Sequence, residues 1–261
     1  MEYEDIRVTK GDPAAIIMID RPKVLNAIRY RTMLEIQDAL NDMASDDAVR
    51  VVVLTGAGDR AFISGGDISI MSRGAGYVET LAEVPRGQAI ATEIENFPKP
   101  VVARINGVAL GGGTELAMCC DLRIAVDTAI MGLPEITLGI IPGYGGTQRL
   151  PRLIGMSKAG EMILLGEPVS ATEAFRVGLL NRVVPASELD REVEKVCARL
   201  SEMSPVALHM AKAAMNSGIQ ADLRTGLEME ARCFSLTFGT EDRVEGMKAF
   251  LEKRKPQFKG Y

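Results

Sequence analysis

Histidine is nearly absent from this sequence of 261 residues, which contains only one, His209. It lies in a predicted helix far along the chain, apart from the other candidate functional residues. A Ser-His-Asp triad depends on a positioned histidine, and zinc sites are built from clusters of histidine, cysteine and carboxylates. Because there is no second histidine and no such cluster, the sequence argues against both kinds of site. We expect no metal, and a surface or interface position for His209.

Cysteine is also scarce: the chain has four, and none of them shows the CxxC spacing of redox or metal motifs. Two are adjacent, Cys119 and Cys120, inside an apolar helical stretch. We therefore expect buried free thiols, which suit a reducing compartment. The acidic first residues have neither a signal-peptide core nor the character of a basic transit peptide. Together these features predict a soluble cytoplasmic protein.

Long apolar runs and an excess of positive charge are missing as well. No run of about eighteen apolar residues is present, so we expect no membrane span. The formal net charge of −5 and the isoelectric point near 5.2 argue against nucleic acid as a partner. The one basic cluster, Lys253-Arg254-Lys255, is short. It either meets phosphates or is a solvated helix end.

The apolar content is that of a globular protein, with 47% hydrophobic and 25% charged residues. Short apolar runs predict buried strands, and helical patterns lie between them. The predicted strands are residues 14–19, 51–54, 101–105, 122–126 and 182–184. Because strands alternate with helices, we predict an α/β core in which crossovers join parallel strands.

Several helix starts are marked by residues that favour capping. Asn26 is placed to cap the first helix, Ser170 opens a capping box, and Ser187 repeats that pattern. Gly178 is placed to end the helix that begins after Ser170. Residues 72–88 mix glycine, proline and charge, so we predict a mobile loop or irregular helix there.

The character of the chain changes after residue 200. Ser204-Pro205 opens an alanine-rich helix, a second helix follows from Leu223, and Thr240 precedes a third. No strand is predicted in this part, and its apolar faces exceed what one small subunit needs. We predict an α/β core that carries the active site at residues 1–200, and a helical region that makes subunit contacts at residues 201–261.

The stretch at residues 106–121 is the most informative part of the sequence. Three glycines, Gly111 to Gly113, stand between an apolar strand and an apolar helix. Without Cβ atoms the backbone can turn tightly and expose its N–H groups, and the first helical turn adds unpaired donors. Such a site suits an oxygen that becomes negative. Glu115 lies in that first turn, and Glu135 follows it along the chain.

Each of these features also has a purely structural interpretation. A glycine run before a helix is ordinarily a turn device, and Glu115 alone would be a favourable partner of the helix dipole. Glu135 follows a proline and alone would be a solvated turn residue. The glycine-rich residues 143–146 look like a phosphate cradle, but no GK[ST] follows them. We interpret them as a tight strand-to-helix turn packed beside the site.

Several separated motifs, in order along nearly the whole chain, resemble the crotonase superfamily, also called the enoyl-CoA hydratase/isomerase family. They are Arg21-Pro22 with Leu25-Asn26-Ala27, the turn at 61–67, the stretch at 106–121, Pro134-Glu135, residues 142–149 and the ending at 250–254. The resemblance implies an α/β fold, a crotonase-type spiral of repeated ββα units with a C-terminal helical trimerisation region. It further implies a homotrimer or a dimer of trimers, and coenzyme A thioesters as ligands.

The resemblance also assigns roles to individual residues. The backbone N–H groups of Gly66 and Gly112 match the family's two oxyanion-hole donors, and Glu115 and Glu135 match the two carboxylates of its hydratase branch. Many relatives have alanine where this chain has Gly66, a change that should preserve a main-chain donor while loosening the turn. The expected contacts to the acyl-CoA are Lys23, Val24, Ser64, Gly65, Asp67 and Ile68, with Phe250 and Lys253 near the nucleotide end, in some relatives from a neighbouring subunit.

The reaction that this implies is the hydration of a trans-2-enoyl-CoA to a 3-hydroxyacyl-CoA. The N–H donors would stabilise the enolate, and one such donor is worth roughly 10²–10³ in rate. Two close carboxylates in an apolar pocket cannot both readily carry charge, which favours one base and one acid. We expect Glu115 to be the base that orients water and Glu135 to be the acid that protonates the α-carbon. Coenzyme A is part of the substrate, and no other cofactor is expected.

Other functions stay open at this point. The nearest is hydration of a cyclic or dienoyl thioester in aromatic or alicyclic acid degradation, and the next is a non-catalytic acyl-CoA-binding protein on the same scaffold. An isomerase would need only one carboxylate, and an RNA-binding role conflicts with the acidic isoelectric point. The acyl group is not fixed by the sequence, because the pocket wall is expected to come from residues 72–88.

Overall fold

The computed structural model describes residues 3–73 and 76–261, and within them it contains ten strands and eleven α-helices. The strands are β1 Ile6–Thr9, β2 Ala14–Ile19, β3 Val51–Gly56, β4 Ala61–Ile63, β5 Val101–Ile105, β6 Val108–Leu110, β7 Leu122–Val126, β8 Ile130–Gly132, β9 Val169–Ser170 and β10 Arg182–Val184. The helices are α1 Tyr30–Ala44, α2 Ile68–Met71, α3 Tyr77–Glu95, α4 Gly112–Cys119, α5 Gly146–Ile154, α6 Met156–Leu165, α7 Ala171–Arg176, α8 Leu189–Ser201, α9 Pro205–Gly218, α10 Leu223–Phe238 and α11 Glu241–Leu251. Short 3₁₀ helices lie at Pro22–Val24, Pro134–Leu138 and Ala186–Glu188.

The strands form two sheets, with the order β1-β2-β3-β5-β7-β10 in the larger and β4-β6-β8-β9 in the smaller. All pairings are parallel except those of β1 with β2 and of β8 with β9. From β3 to β8 the chain sends one strand to the large sheet, the next to the small sheet, and then forms helix before repeating. These turns are ββα units, and the predicted α/β core with parallel strands is confirmed.

The five predicted strands are all present, because each is an apolar run long enough to be recognised. Every residue of β3 is buried, as expected for a parallel strand covered on both faces. The strands of the small sheet were not predicted. They are two or three residues long, too short for a run or a period to show.

Two of the predicted helix caps are wrong. Helix α1 begins at Tyr30, and Asn26 lies before it with a φ of 58°. The Asn26 amide instead donates to the carbonyl oxygens of Ala57 and Ala61, where it joins segments distant in sequence. Ser187 lies inside a 3₁₀ helix and does not cap α8. Asn26 and Ser187 are residue types that often cap helices, and they stand at the expected position in the sequence. Asn26 is instead used in tertiary hydrogen bonds, and Ser187 lies in a 3₁₀ turn.

Other helix ends agree with their predictions. The Ser170 hydroxyl accepts a hydrogen bond from the N–H of Glu173 at the start of α7, and Gly178 follows that helix with a φ of 86°. The side chains of Ser204 and Thr240 cap α9 and α11 in the same way. In each case a hydroxyl satisfies one of the unpaired donors of the first helical turn.

Of the two alternatives predicted for residues 72–88, a mobile loop or an irregular helix, the structure shows a helix over most of the length: α3 runs from Tyr77 to Glu95 with Pro85 inside it. Residues 74 and 75 lie outside the described residues. The later part of α3 buries Ile90 and Ile94 against α1 and α4. This packing, which lies beyond residue 88, stabilises a helix whose first half carries few helical signals.

The C-terminal helices α9, α10 and α11 follow the core, and the division at residue 200 stays a prediction. Helix α9 is held to the core by Lys212, whose ammonium group lies 2.7 Å from a carboxylate oxygen of Asp121. The same oxygen accepts from the N–H of Val101, the first residue of β5. Within the described ranges, no helix combines the length and apolar composition needed to cross a membrane.

Candidate active site

The first element of the site is the turn after β4, which contains Gly66. Ile28 forms an isolated parallel bridge to this residue: the Ile28 N–H donates to the Gly65 carbonyl, and the Ile28 carbonyl accepts from the Asp67 N–H, both at 2.8 Å. In a parallel bridge of this kind, one residue bonds to the two neighbours of the residue opposite it. The N–H and C=O groups of that opposite residue, here Gly66, then point away from the pairing. The Gly66 N–H therefore faces away from Ile28, and no acceptor binds it among residues 3–73 and 76–261.

The second element is the start of α4 at Gly112. Gly111 precedes it with a φ of 52°, a conformation that favours glycine. As the first residue of the helix, Gly112 has an N–H without an intrahelical acceptor, and no acceptor binds it elsewhere in the described part of the chain. A Cβ atom added to Gly111 would lie 3.7 Å from the Cα of Gly65. The two glycine turns are thus neighbours in space.

Glu115 lies one turn into α4 and is only 2% exposed. Its Oε1 accepts hydrogen bonds from the N–H groups of Tyr144 and Gly146, at 2.8 Å and 2.7 Å. These two bonds hold the carboxyl group in place through Oε1 alone. The glycine-rich residues 143–146 therefore pack beside the site, as predicted. They are not a strand-to-helix turn, because the preceding regular element is the 3₁₀ helix Pro134–Leu138.

The pKa of Glu115 is raised to about 7, mainly because burial disfavours the charged form. The N–H groups of Gly146 and Tyr144 and the charge of Arg149 oppose this rise, and the charge of Glu135 adds to it. A carboxyl group with a pKa near neutral can take up or release a proton at physiological pH.

Glu135 lies in the 3₁₀ helix Pro134–Leu138 and is 9% exposed. A Cβ atom on Gly111 would lie 2.9 Å from its Oε1, so this carboxyl group borders the turn that leads into α4. Its Oε2 is buried and has no hydrogen-bond partner among the described residues. Burial raises the pKa of Glu135. One carboxyl group of the pair is thus held by amides, and the other has an unsatisfied oxygen.

The predicted substrate contacts near the first turn come together. Ser64, Gly65, Asp67 and Ile68 are consecutive with Gly66 after β4, and Lys23 and Val24 lie in the 3₁₀ helix Pro22–Val24. The Ser64 hydroxyl donates to the Val24 carbonyl at 3.3 Å, which joins the two segments.

Asp67 is engaged inside this turn. Its carboxylate accepts from the Ser69 hydroxyl and from Arg21, at 2.6 Å and 2.8 Å. The Ser69 bond lowers its pKa most, burial opposes this, and Arg21 lowers it further. The Asp67 side chain therefore braces the turn from within.

Phe250 and Lys253 are not brought to the other predicted contacts. They lie at and just after the end of α11, and the Phe250 side chain is 83% exposed. No hydrogen bond or ion pair of the described residues joins either side chain to the glycine turns. Their contact with substrate stays a prediction.

The chain has the four buried free cysteines that were expected, including Cys119 and Cys120 in and directly after α4. Burial raises the pKa of Cys119 to about 12. Across residues 3–73 and 76–261, no group of three or more histidine, cysteine or acidic residues is placed to hold a metal ion.

Comparison with known proteins decides the family. The model of the enoyl-CoA hydratase/isomerase family matches residues 10–261. This chain belongs to that family. It is 46% identical over 258 residues to the crotonyl-CoA hydratase of Syntrophomonas wolfei, with 99% of each chain covered. It is 42% identical to the short-chain-enoyl-CoA hydratase of Clostridium acetobutylicum, with 98% of this chain and 97% of the relative covered.

A solved structure of an enoyl-CoA hydratase from Bacillus anthracis matches this enoyl-CoA hydratase/isomerase family member with a TM-score of 0.94 and 41% identity. The match covers 99% of this chain and 100% of the other. The predicted crotonase-type fold and the predicted hydratase class of enzyme are confirmed.

Gly111→Ala tests whether this corner of the site depends on a missing side chain. The new methyl group would press on Glu135 Oε1, and a displacement of about 1 Å can cost about 100-fold in rate. We expect kcat/KM for an enoyl-CoA thioester to fall by that order. Gly58→Ala is the control, because Gly58 also has a positive φ but open space around it. Equal activity losses in the two variants would contradict the expected role of the Gly111 corner.

Proposed function

We propose that this protein is an enoyl-CoA hydratase that adds water reversibly to a trans-2-enoyl-CoA and forms a 3-hydroxyacyl-CoA. The observation that carries the proposal is the pairing of two buried carboxyl groups of raised pKa with two N–H groups, in neighbouring glycine turns, that no acceptor binds among the described residues. Hydration needs a base and an acid, which the carboxyl groups supply, and donors that stabilise the enolate, which the N–H groups supply. Coenzyme A enters as part of the substrate, and the proposed chemistry uses only side chains and backbone amides.

The amides of Gly66 and Gly112 form the proposed oxyanion hole. Attack of water on the β-carbon sends negative charge to the thioester oxygen, and two fixed donors stabilise the resulting enolate. Gly112 adds the positive end of the α4 dipole, since it is the first residue of that helix. The donors are main-chain groups, so their position depends on the two turns rather than on any side chain.

Glu115 is the proposed base. Its Oε1 is held by two amides, which leaves Oε2 to accept a proton from the attacking water. Glu135 is the proposed acid, because its Oε2 is buried without a partner among residues 3–73 and 76–261, which favours the protonated form. The hydroxyl group adds to the β-carbon as Glu135 gives its proton to the α-carbon. The proton taken up by Glu115 then returns to Glu135 to complete the cycle.

A short, straight acyl chain is the proposed substrate class. Two relatives of more than 40% identity are named for crotonyl-CoA and for short-chain enoyl-CoA. The Tyr144 ring supports the assignment, since it lies against Gly87 of α3 and within 4 Å of the Cβ position of Gly112. A ring there narrows the space beside Glu115. A cyclic or dienoyl thioester is the alternative substrate, and the presence of two carboxylates disfavours an isomerase.

The proposed contacts for the coenzyme A part are Lys23, Val24, Ser64, Gly65, Asp67 and Ile68, which line adjoining segments. Asp67 would act through its backbone, because its carboxylate is bound to Arg21 and Ser69. Phe250 and Lys253 would reach the nucleotide end from a neighbouring subunit. We also propose a cytoplasmic location, which suits the four free thiols.

Replacement of each carboxylate by an amide tests the mechanism. In Glu115→Gln and Glu135→Gln we expect kcat for crotonyl-CoA hydration to fall by about 10²–10⁴, because general acid–base assistance is lost. The measurement is the loss of conjugated thioester absorbance. Glu167→Gln, the same change at an exposed position, should behave like the wild type. Near-native rates in both active-site variants would refute the two-carboxylate mechanism.

The same assay has an expected pH dependence. Glu115 acts in its ionised form, and its pKa of about 7 lies above the ordinary value of 4.5. The wild-type kcat/KM should therefore rise as pH increases towards 7 and fall again at higher pH, where Glu135, the proposed acid, loses its proton.

A trimer, or a dimer of trimers, is the proposed assembly. The C-terminal helices leave large apolar side chains exposed, and a groove of about 590 Å³ lies between α9 and α10. The exposed side chains of this face include Met215, Ile219, Leu223, Leu227 and Phe234. Contiguous apolar surface of this kind is typical of a protein interface.

Leu227→Glu tests the assembly, because it places a charge in the apolar groove between α9 and α10. We expect the wild type to sediment as a multiple of three subunits and the variant to dissociate to smaller species. Leu34→Glu, a similar change at a partly exposed position of α1, is the control. A wild-type monomer, or a Leu227→Glu variant that assembles normally, would contradict the proposal.

A further inference from the structure

Arg149, on α5, lies behind the turn that holds Glu115. Its Nη1 donates to the carbonyl oxygen of Tyr144 at 2.8 Å. That carbonyl lies in the chain between the N–H of Tyr144 and the N–H of Gly146, the two groups that bind Glu115 Oε1. A rotation of the peptide after Tyr144 would move the second of these donors. The guanidinium group is therefore two hydrogen bonds away from the Glu115 carboxyl group.

Gly145 makes room for this contact. It has a φ of 106°, and a Cβ atom at this position would overlap Nη1 of Arg149. The glycine thus serves both the left-handed backbone of the turn and the close approach of the guanidinium. The sequence Gly-Tyr-Gly-Gly, followed three residues later by arginine, is one structural unit.

The other edge of the Arg149 guanidinium is held by α3. Nε and Nη2 donate to Oε2 of Glu95 at 3.1 Å and 2.7 Å, and Nη2 also donates to the hydroxyl of Thr92 at 3.3 Å. The Glu95 carbonyl in turn accepts from the side-chain amide of Asn216 on α9. Because arginine presents its donors in a rigid fork, it can hold Glu95 and the turn at once, which lysine cannot.

We propose that Arg149 is a positioning residue for hydration: anchored by Glu95, it fixes the turn whose amides orient Glu115. The inference rests on the function proposed above. Arg149 does not face the reacting atoms; it acts through the Tyr144 peptide. Its effect should appear in the rate of the chemical step rather than in substrate binding.

Arg149 also affects the charge state of Glu115. The groups that act on the charge of Glu115 through hydrogen bonds or Coulomb interactions are the carboxyl group of Glu135, the two amides of the turn, the phenol of Tyr144, the thiol of Cys119 and the guanidinium of Arg149. The positive charge of Arg149 lowers the pKa of Glu115, whereas burial and Glu135 raise it. Removal of the guanidinium should therefore raise this pKa and move the acid limb of kcat/KM to higher pH.

Arg149→Met removes the charge and the fork but keeps an unbranched side chain. For crotonyl-CoA we expect kcat to fall by about 10–100-fold through misplacement of the base, with KM changed less than about threefold. The acid limb should move up by about half a pH unit or more. Arg152→Met, on an exposed part of the same helix, should leave kcat and the acid limb at their wild-type values.

Arg149→Lys separates charge from geometry. It should return the acid limb to within about 0.2 pH unit of the wild type, while kcat recovers only in part because the fork is missing. If Arg149→Met fails to fold, the kcat of Arg149→Lys tests the proposal instead. Wild-type kcat in Arg149→Lys, or a folded Arg149→Met with unchanged kcat or an unmoved acid limb, would overturn the proposal.

A second readout keeps this inference separate from the proposed function. The pKa of Glu115 can be followed without turnover, by infrared difference spectra of the carboxyl band between each protein and its Glu115→Gln counterpart. An inactive wild type would refute the hydratase proposal. A Glu115 band that titrates at the same pH with and without Arg149 would refute the present one.

Discussion

The carboxyl groups of Glu115 and Glu135 are buried close to each other, where a charge is costly, and they differ in their hydrogen-bond partners. Glu115 receives two backbone N–H groups on one oxygen, whereas Oε2 of Glu135 receives none from the described residues. Burial raises both pKa values, and backbone N–H groups oppose the rise: those of Gly146 and Tyr144 at Glu115, and the residue's own at Glu135. A pair of chemically identical side chains can thus take opposite roles, one as base and one as acid.

The rest of the fold brings the elements of this pocket together. The Asn106 side chain donates to carbonyl oxygens at the end of β3, in the following loop and at the start of β4, which fixes the corner between the two sheets. Gly113 lets α4 approach so closely that a Cβ atom there would overlap the Ile63 carbonyl. Helix α3 packs beside the turn at residues 143–146: the Gln88 side chain donates to the Gly143 carbonyl, and Glu95 accepts from Arg149 of α5. The ββα repeat therefore serves to place three short turns side by side.

The parts of the fold and of the candidate site that could be predicted are those encoded by neighbouring residues in the sequence. The long strands of the large sheet are uninterrupted apolar runs, and the site glycines and glutamates stand in motifs with an identifiable order. Helix α3 was predicted only as one of two alternatives, a mobile loop or an irregular helix, because Pro85 weakens the helical signal of its first half. The hold of Tyr144 and Gly146 on Glu115 joins positions 29 and 31 residues apart, so no local pattern could indicate it. Asn26 shows the converse, a local capping signal used instead for a long-range contact.

The most direct test of the account is a crystal structure with butanoyl-CoA, a saturated thioester that binds without reacting. The account predicts a thioester oxygen within about 3.1 Å of both the Gly66 and the Gly112 nitrogen atoms. It also predicts that the Glu115 and Glu135 carboxyl groups face the β-carbon and the α-carbon. A thioester oxygen bound to neither amide, or a carboxyl group directed away from the acyl chain, would contradict it.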